Sequence, residues 1–156
     1  MNTAGRGNTG EAMVLAALVR QGFDVSIPFG EGQPFDLVVH TGAPTCVRVQ
    51  CKTAWPQRGC MVFNSRSTDH GQGRQRYDGL ADIFGVYFPP TSSVYLVPID
   101  AVAGFAGRLR LDPPRNNQRR GIRLAAGFEI ERWSLQRLRE VLAAEARQQD
   151  PLSTVA

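Results

Sequence analysis

The sequence predicts an α/β (α+β) fold, a central mixed β-sheet flanked by helices, and three patterns in its 156 residues carry that expectation. Residues 34–53 alternate apolar and polar side chains with the period of two that a strand imposes, on both sides of a Gly42-Ala43-Pro44 turn. Residues 83–88 and 94–97 are strongly apolar runs joined by Pro89-Pro90-Thr91-Ser92-Ser93, the composition of strands buried on both faces in the middle of a sheet. Residues 10–21 and 135–147 instead carry their apolar side chains at helical spacing.

Taken in order, the Gly-rich residues 1–7 are expected to fray, and Asn8 or Thr9 to cap a helix over 10–21 that Gly22 closes. Its apolar line is Val14, Leu15, Leu18 and Val19, with Glu11 one turn before Leu15 on the same side. Two readings of Glu11 stand together. Asn8-x-x-Glu11 has capping-box spacing and an acid suits the first turn of a helix; alternatively, the helix packs across the hairpin and aims Glu11 at Asp36. Residues 23–27 form a short strand ending at Pro28, and a loop over 29–33 leads into the hairpin. There Leu37 and Val39 share one face and Asp36, Val38 and His40 the other; Val47, Val49 and Cys51 oppose Arg48, Gln50 and Lys52. Folding about Ala43 pairs residues whose numbers add to 86, so Asp36 faces Gln50 and Lys52 projects from the same face one pleat on.

After a turn at Gln57-Arg58-Gly59, residues 60–63 read as a fourth strand. Trp55, before that turn, either stacks on a base or, as is commoner at a strand end, packs at the rim of the core. Asp82 is either a group that supports the site from behind or, as is commoner, a turn residue. Residues 100–106 are a short helix or turn, and 108–111 a late edge strand. Ser134 caps the last helix, which turns Leu138, Val141 and Leu142 inward and Arg137, Arg139 and Glu140 outward, and which closes the core or forms a dimer seam. Residues 149–156 are expected to be a disordered tail.

Composition bounds the function. An apolar content of 42% over this length suits one globular domain, residues 1–156, with a core that needs no disulfide or structural metal. Cys46, Cys51 and Cys60 are odd in number and lack Cys-x-x-Cys spacing, and His40 and His70 are the two histidines, which argues against zinc and for reduced thiols in a cytoplasmic protein. No apolar run is long enough for a membrane span and the N-terminus lacks the apolar core of a signal peptide, so no membrane partner is expected. A net charge of +4 is compatible with a polyanionic partner.

The chemistry concentrates on one face of the hairpin. Asp36, Gln50 and Lys52 bring an acid, an amide oxygen and an amine together, a set able to hold a divalent ion and handle a water. The plain alternative is three solvated side chains on an open sheet face. Of the 18 basic residues 17 are arginine, and the single lysine is Lys52, where an amine with a tunable pKa is useful and a guanidinium is not.

At these positions the sequence resembles the PD-(D/E)XK nuclease superfamily, whose signature is an aspartate at the start of one strand and (D/E)-x-K on the next. It is most similar to the branch that includes intron-encoded homing endonucleases, in which glutamine occupies the (D/E) position. The resemblance implies a restriction-endonuclease-like core, with Asp36 as the metal-binding aspartate, Gln50 at the (D/E) position and Lys52 as the motif lysine. Gly10-Glu11 matches the Gly-Glu pair by which an N-terminal helix adds a further acid. Two departures are visible: Phe35 separates Pro34 from Asp36, and Gln50 carries no charge. The implied cofactor is Mg²⁺, with Mn²⁺ as the alternative, held by Asp36, the Gln50 amide oxygen, the Cys51 backbone carbonyl and Glu11.

Two polar stretches suit a nucleic-acid partner. Residues 64–76 contain no apolar side chain and offer Arg66, His70, Arg74 and Arg76 to phosphates; otherwise they are a surface loop. Residues 113–123 hold Arg115, Asn117, Gln118, Arg119 and Arg120, arginines for phosphates and amides for base edges, or else form a solvated linker. The expectation is therefore a metal-dependent endonuclease acting on double-stranded or branched DNA as a homo-oligomer, dimer or tetramer, because a single site cuts one strand. Its rivals are a non-catalytic nucleic-acid-binding module on a nuclease fold and a protein-binding scaffold that uses the last helix.

Overall fold

The computed structural model describes residues 3–30, 32–42, 44–67, 73, 75–113 and 121–149. Helix α1 (Thr3–Arg20) is followed by strands β1 (Asp24–Ser26), β2 (Leu37–His40), β3 (Cys46–Thr53), β4 (Trp55–Gln57) and β5 (Cys60–Asn64). Strands β6 (Ile83–Phe88), β7 (Ser93–Pro98) and β8 (Ala106–Arg110) come next, and helix α2 (Leu135–Gln149) closes the order. Five strands form a mixed sheet in the order β1-β2-β3-β6-β7, antiparallel except for the β3–β6 pair. The mixed sheet with flanking helices is the architecture the sequence predicts.

The hairpin register is also the expected one. Leu37 pairs with Val49, Val38 with Arg48 and Val39 with Val47, and the Asp36 amide extends the ladder by donating to the Val49 carbonyl at 2.9 Å. Leu37, Val39, Val47 and Val49 are buried under α1 and α2 with Val14, Leu18, Trp133 and Leu138. On the opposite face Phe84, Val86, Tyr95 and Val97 pack against Met61, Phe63 and Leu109. Those last three come from a second, three-stranded sheet, β4-β5-β8. The strand expected over 60–63 thus exists but belongs to that second sheet, a partner choice set by a contact to β8 far along the chain.

Several expectations are corrected. Helix α1 begins at Thr3, so residues 3–7 are helical and neither Asn8 nor Thr9 is a cap; the Thr9 hydroxyl donates back to the Gly5 carbonyl at 2.8 Å inside the helix. Glu11 then lies in the third turn, which removes its capping-box and first-turn roles. Val14 and Leu18 are buried as expected, while Val19 is exposed. β6 is central but β7 is an edge strand, buried because the segment over 125–132 covers it through a Tyr95–Glu129 bridge. Asp82 is no turn residue: 2% exposed, it accepts hydrogen bonds from the Arg48 backbone amide and guanidinium at 2.6 Å each, pinning the entry of β6 to β3. Ser134 does cap α2, accepting from the Arg137 amide at 3.2 Å, and α2 closes the core.

Two glycines set how closely α1 approaches the sheet. A Cβ on Gly85 in β6 would sit 2.5 Å from Val14 Cγ1, and one on Gly10 would sit 2.2 Å from the Thr53 hydroxyl. The helix therefore lies tight against the C-terminal half of β3 and brings Glu11 within the field of Asp36.

Candidate active site

β2 begins only at Leu37, opposite Val49, while β3 runs on to Thr53, so the second half of β3 has no antiparallel neighbour on that side. A cleft of about 570 Å³ opens there, lined by Gly32, Gln33, Pro34, Asp36, Gln50, Ser67, Gly73, Gln75, Arg76, Tyr77 and Leu80. Strand alternation aims the side chains of Gln50 and Lys52 to the cleft side and sends Cys51 towards α1.

Asp36 is the hub. Its Oδ2 accepts from the Gln50 amide nitrogen at 2.6 Å and from the Cys51 backbone N–H at 2.7 Å. Burial raises its pKa against the opposing pull of that backbone bond and of the Lys52 charge. Glu11, presented by α1, is also raised, first by burial and then by the negative charge of Asp36, so the two carboxylates share one field. Burial, Asp36 and Glu11 all push the Cys51 thiol up, and it stays protonated, unable to serve as a thiolate ligand.

Lys52 lies on the face of β3 opposite Cys51, against the buried Tyr77. Its Nζ donates to the Tyr77 hydroxyl at 3.0 Å and to the Arg66 carbonyl at 3.3 Å, and lies 4.6 Å from the centre of the Tyr77 ring. Burial lowers its pKa to about 8, with Asp36 pulling the other way. Tyr77 is itself buried and pushed up to about 12, which keeps its hydroxyl neutral. Tyr77 matches the family's spacing of a tyrosine before the next strand but has no site role in the sequence reading, because its place beneath the lysine depends on a contact 25 residues away.

The donor set fits a hard divalent ion. The Gln50 amide nitrogen bridges two acceptors, Asp36 Oδ2 and, at 3.3 Å, the Cys51 carbonyl. Turning that amide over replaces its donor with Oε1, and three oxygens then face one point with no proton between them, an arrangement a cation satisfies. No group of three His, Cys, Asp or Glu side chains exists among the described residues, so a metal would draw on the amide and backbone oxygens, as suits Mg²⁺ or Mn²⁺ better than zinc.

Of the remaining expected contacts, Arg66 stacks 3.6 Å from the Phe105 ring centre and contributes its carbonyl to Lys52, while Arg76 lines the cleft wall and pairs with Asp78. Ser67 and Gln75 are joined by a Ser67 N–H to Gln75 carbonyl bond of 3.0 Å. His70, Arg74, Arg115, Asn117, Gln118, Arg119 and Arg120 lie outside the described residues. Trp55 is 41% exposed at the rim, not packed into the core.

Comparison with known proteins bears on the fold and the family. The bacterial homing endonuclease I-Ssp6803I is similar in structure at a TM-score of 0.68 and 20% identity, with 96% of this chain and 99% of that chain covered. No curated protein matches the sequence. The model of the PD-(D/E)XK endonuclease family matches residues 1–131. With that match over most of its length, Asp36 and Gln50 lining one cleft and Lys52 bonded to the Tyr77 that lines it too, the chain belongs to the PD-(D/E)XK endonuclease family.

Proposed function

We propose that this endonuclease uses a divalent metal ion, Mg²⁺ or Mn²⁺, to hydrolyse phosphodiester bonds of DNA, and that it acts as a homo-oligomer with paired clefts. The observation that carries the reading is the convergence of Asp36, Gln50 and the Cys51 carbonyl beside an amine lowered to about 8. Asp36, the Gln50 amide oxygen and the Cys51 carbonyl would hold the ion, with Glu11 closing the set from α1. Once bound, such an ion stabilises negative charge developing on the scissile phosphate and lowers the pKa of a water. Lys52 does the proton work. Held by the Tyr77 hydroxyl and the Arg66 carbonyl, its neutral amine takes the proton of the attacking water. Arg76 on the cleft wall and the arginines of the two polar stretches would grip flanking phosphates. Among the described residues no helix is long and apolar enough to cross a membrane, and we assign the chain to the cytoplasm as a single domain.

A second reading has its own observation. Gln50 brings no charge where the family signature has an acid, and its donor end engages Asp36, which suits a DNA-binding module that has lost its metal. Incubating supercoiled plasmid and branched DNA with the protein in Mg²⁺, Mn²⁺ or EDTA separates the two. Metal-dependent nicks or breaks are expected; tight binding with no cleavage of any substrate under either metal would favour the binding module.

A further inference from the structure

The outward face of the second sheet has an unusual make-up. The ladders align Trp55, Val62 and Arg108 in one row and Gln57, Cys60 and Arg110 in the next. The alternate residues Met61, Phe63 and Leu109 go to the core. The outer strands β4 and β8 thus carry long side chains and the central strand β5 short ones, and Val62, between Trp55 and Arg108, is only 2% exposed. None of the three strands contains Asp, Glu, Lys, Ser or Thr, the residues of an ordinary solvated strand face; the nearest acid, Asp112, lies past the end of β8. A half-exposed tryptophan and two arginines, neither of them in an ion pair among the described residues though Arg110 donates to the Asp112 carbonyl at 3.2 Å, suit a polyanion that is also able to meet a ring.

We propose that this face sits in the major groove of duplex DNA beside the cut phosphate, with Gln57, Arg108 and Arg110 reading base edges and Trp55 bounding the row. The inference rests on the endonuclease reading above and extends it to specificity. Size agrees: two strand spacings separate β4 from β8, about 10 Å, against a groove about 12 Å wide. Chemistry narrows the bases. An Arg108 guanidinium nitrogen donates to Gln57 Oε1 at 2.6 Å, which takes one of that oxygen's two lone pairs and leaves the pair with more donors than acceptors to offer. A surplus of donors matches the two acceptors of guanine, O6 and N7, better than adenine, which needs an acceptor as well. The face is also joined rigidly to the cleft. Trp55 lies three residues beyond Lys52 on the continuation of β3, and β5 runs out into Ser65 and Arg66, whose carbonyl holds the Lys52 amine.

The test uses the full chain in EDTA and a pool of duplexes with a randomised core. Wild type is expected to enrich a consensus, and the Gln57→Ala, Arg108→Ala double variant to lose its preference at about two adjacent positions that include guanine, by roughly tenfold or more. Both substituted residues are exposed, so the variant should melt as wild type does. An unchanged consensus would overturn the proposal. So would equal weakening on every duplex with a shallower salt dependence, the mark of phosphate contact without base reading. A wild type that cuts plasmid but enriches no consensus overturns the groove reading and leaves the endonuclease standing, whereas one that neither binds nor cuts removes both.

Discussion

Lys52 carries the most chemistry per atom, because burial, a tyrosine hydroxyl and a neighbouring carboxylate all act on one amine. Arginine would keep the positive charge but not the ability to lose it. Lys52→Arg should therefore bind DNA nearly as wild type does while single-turnover cleavage falls by roughly 10²-fold, the scale of a lost proton-transfer group. Binding and cleavage falling together would mean the lysine only attracts phosphate. With a folded pKa of about 8, the neutral fraction of the amine grows tenfold per unit of pH below that value and levels off above it. Cleavage measured under single-turnover conditions should follow that curve, and a flat profile would take the base role from Lys52. Stability has a sign too. Between about 8 and the ordinary lysine value of 10.5 the unfolded chain binds more protons than the folded one, so this residue makes the fold more stable as pH rises through that window.

At the scale of elements, local rules located what local contacts decide. The hairpin register follows from alternation on both arms, because a one-residue slip would expose Leu37, Val39, Val47 and Val49 together, and the structure pairs them as expected. Asp36, Gln50 and Lys52 were legible for the same reason. The start of α1 was not: Asn8 and Thr9 have the chemistry of caps, yet the helix continues through them to Thr3. Nor could composition alone reveal that Asp82 is the counter-ion of Arg48, 34 residues earlier, or that β5 leaves the main sheet to pair with β8. Gly10 and Gly85 escaped notice as packing residues because nothing in their neighbourhoods marks them; the helix laid over them does. Gly85→Ala would press a methyl group onto Val14 and Val49, two stiff, fully packed side chains. Overpacking of this kind costs about 1–3 kcal/mol, which for a chain of this size lowers the thermal midpoint by roughly 2–12 °C. An unchanged melting curve would show that α1 is free to ride outward.

At the scale of the whole molecule, the cleft is one-sided. Asp36, Gln50, Lys52 and Tyr77 gather at the free edge of β3, a place for one phosphodiester of one strand. The two strands of a duplex run antiparallel, so cutting both with the same geometry requires two clefts related by a twofold axis, as in a dimer or a tetramer. Mixing tests this directly. If tagged wild-type and Lys52→Arg chains are co-expressed and the mixed oligomer is purified through both tags, each particle holds both active and inactive clefts, one of each in a dimer. In a dimer one strand then meets a working amine and its complement does not. Supercoiled plasmid should be converted mainly to the nicked circle by the mixed oligomer and to the linear form by wild type, in single-turnover reactions at matched protein concentration. Linear product from the mixed dimer at the wild-type rate would mean that one cleft cuts both strands in succession, and recovery of no doubly tagged species would mean that the chain works alone.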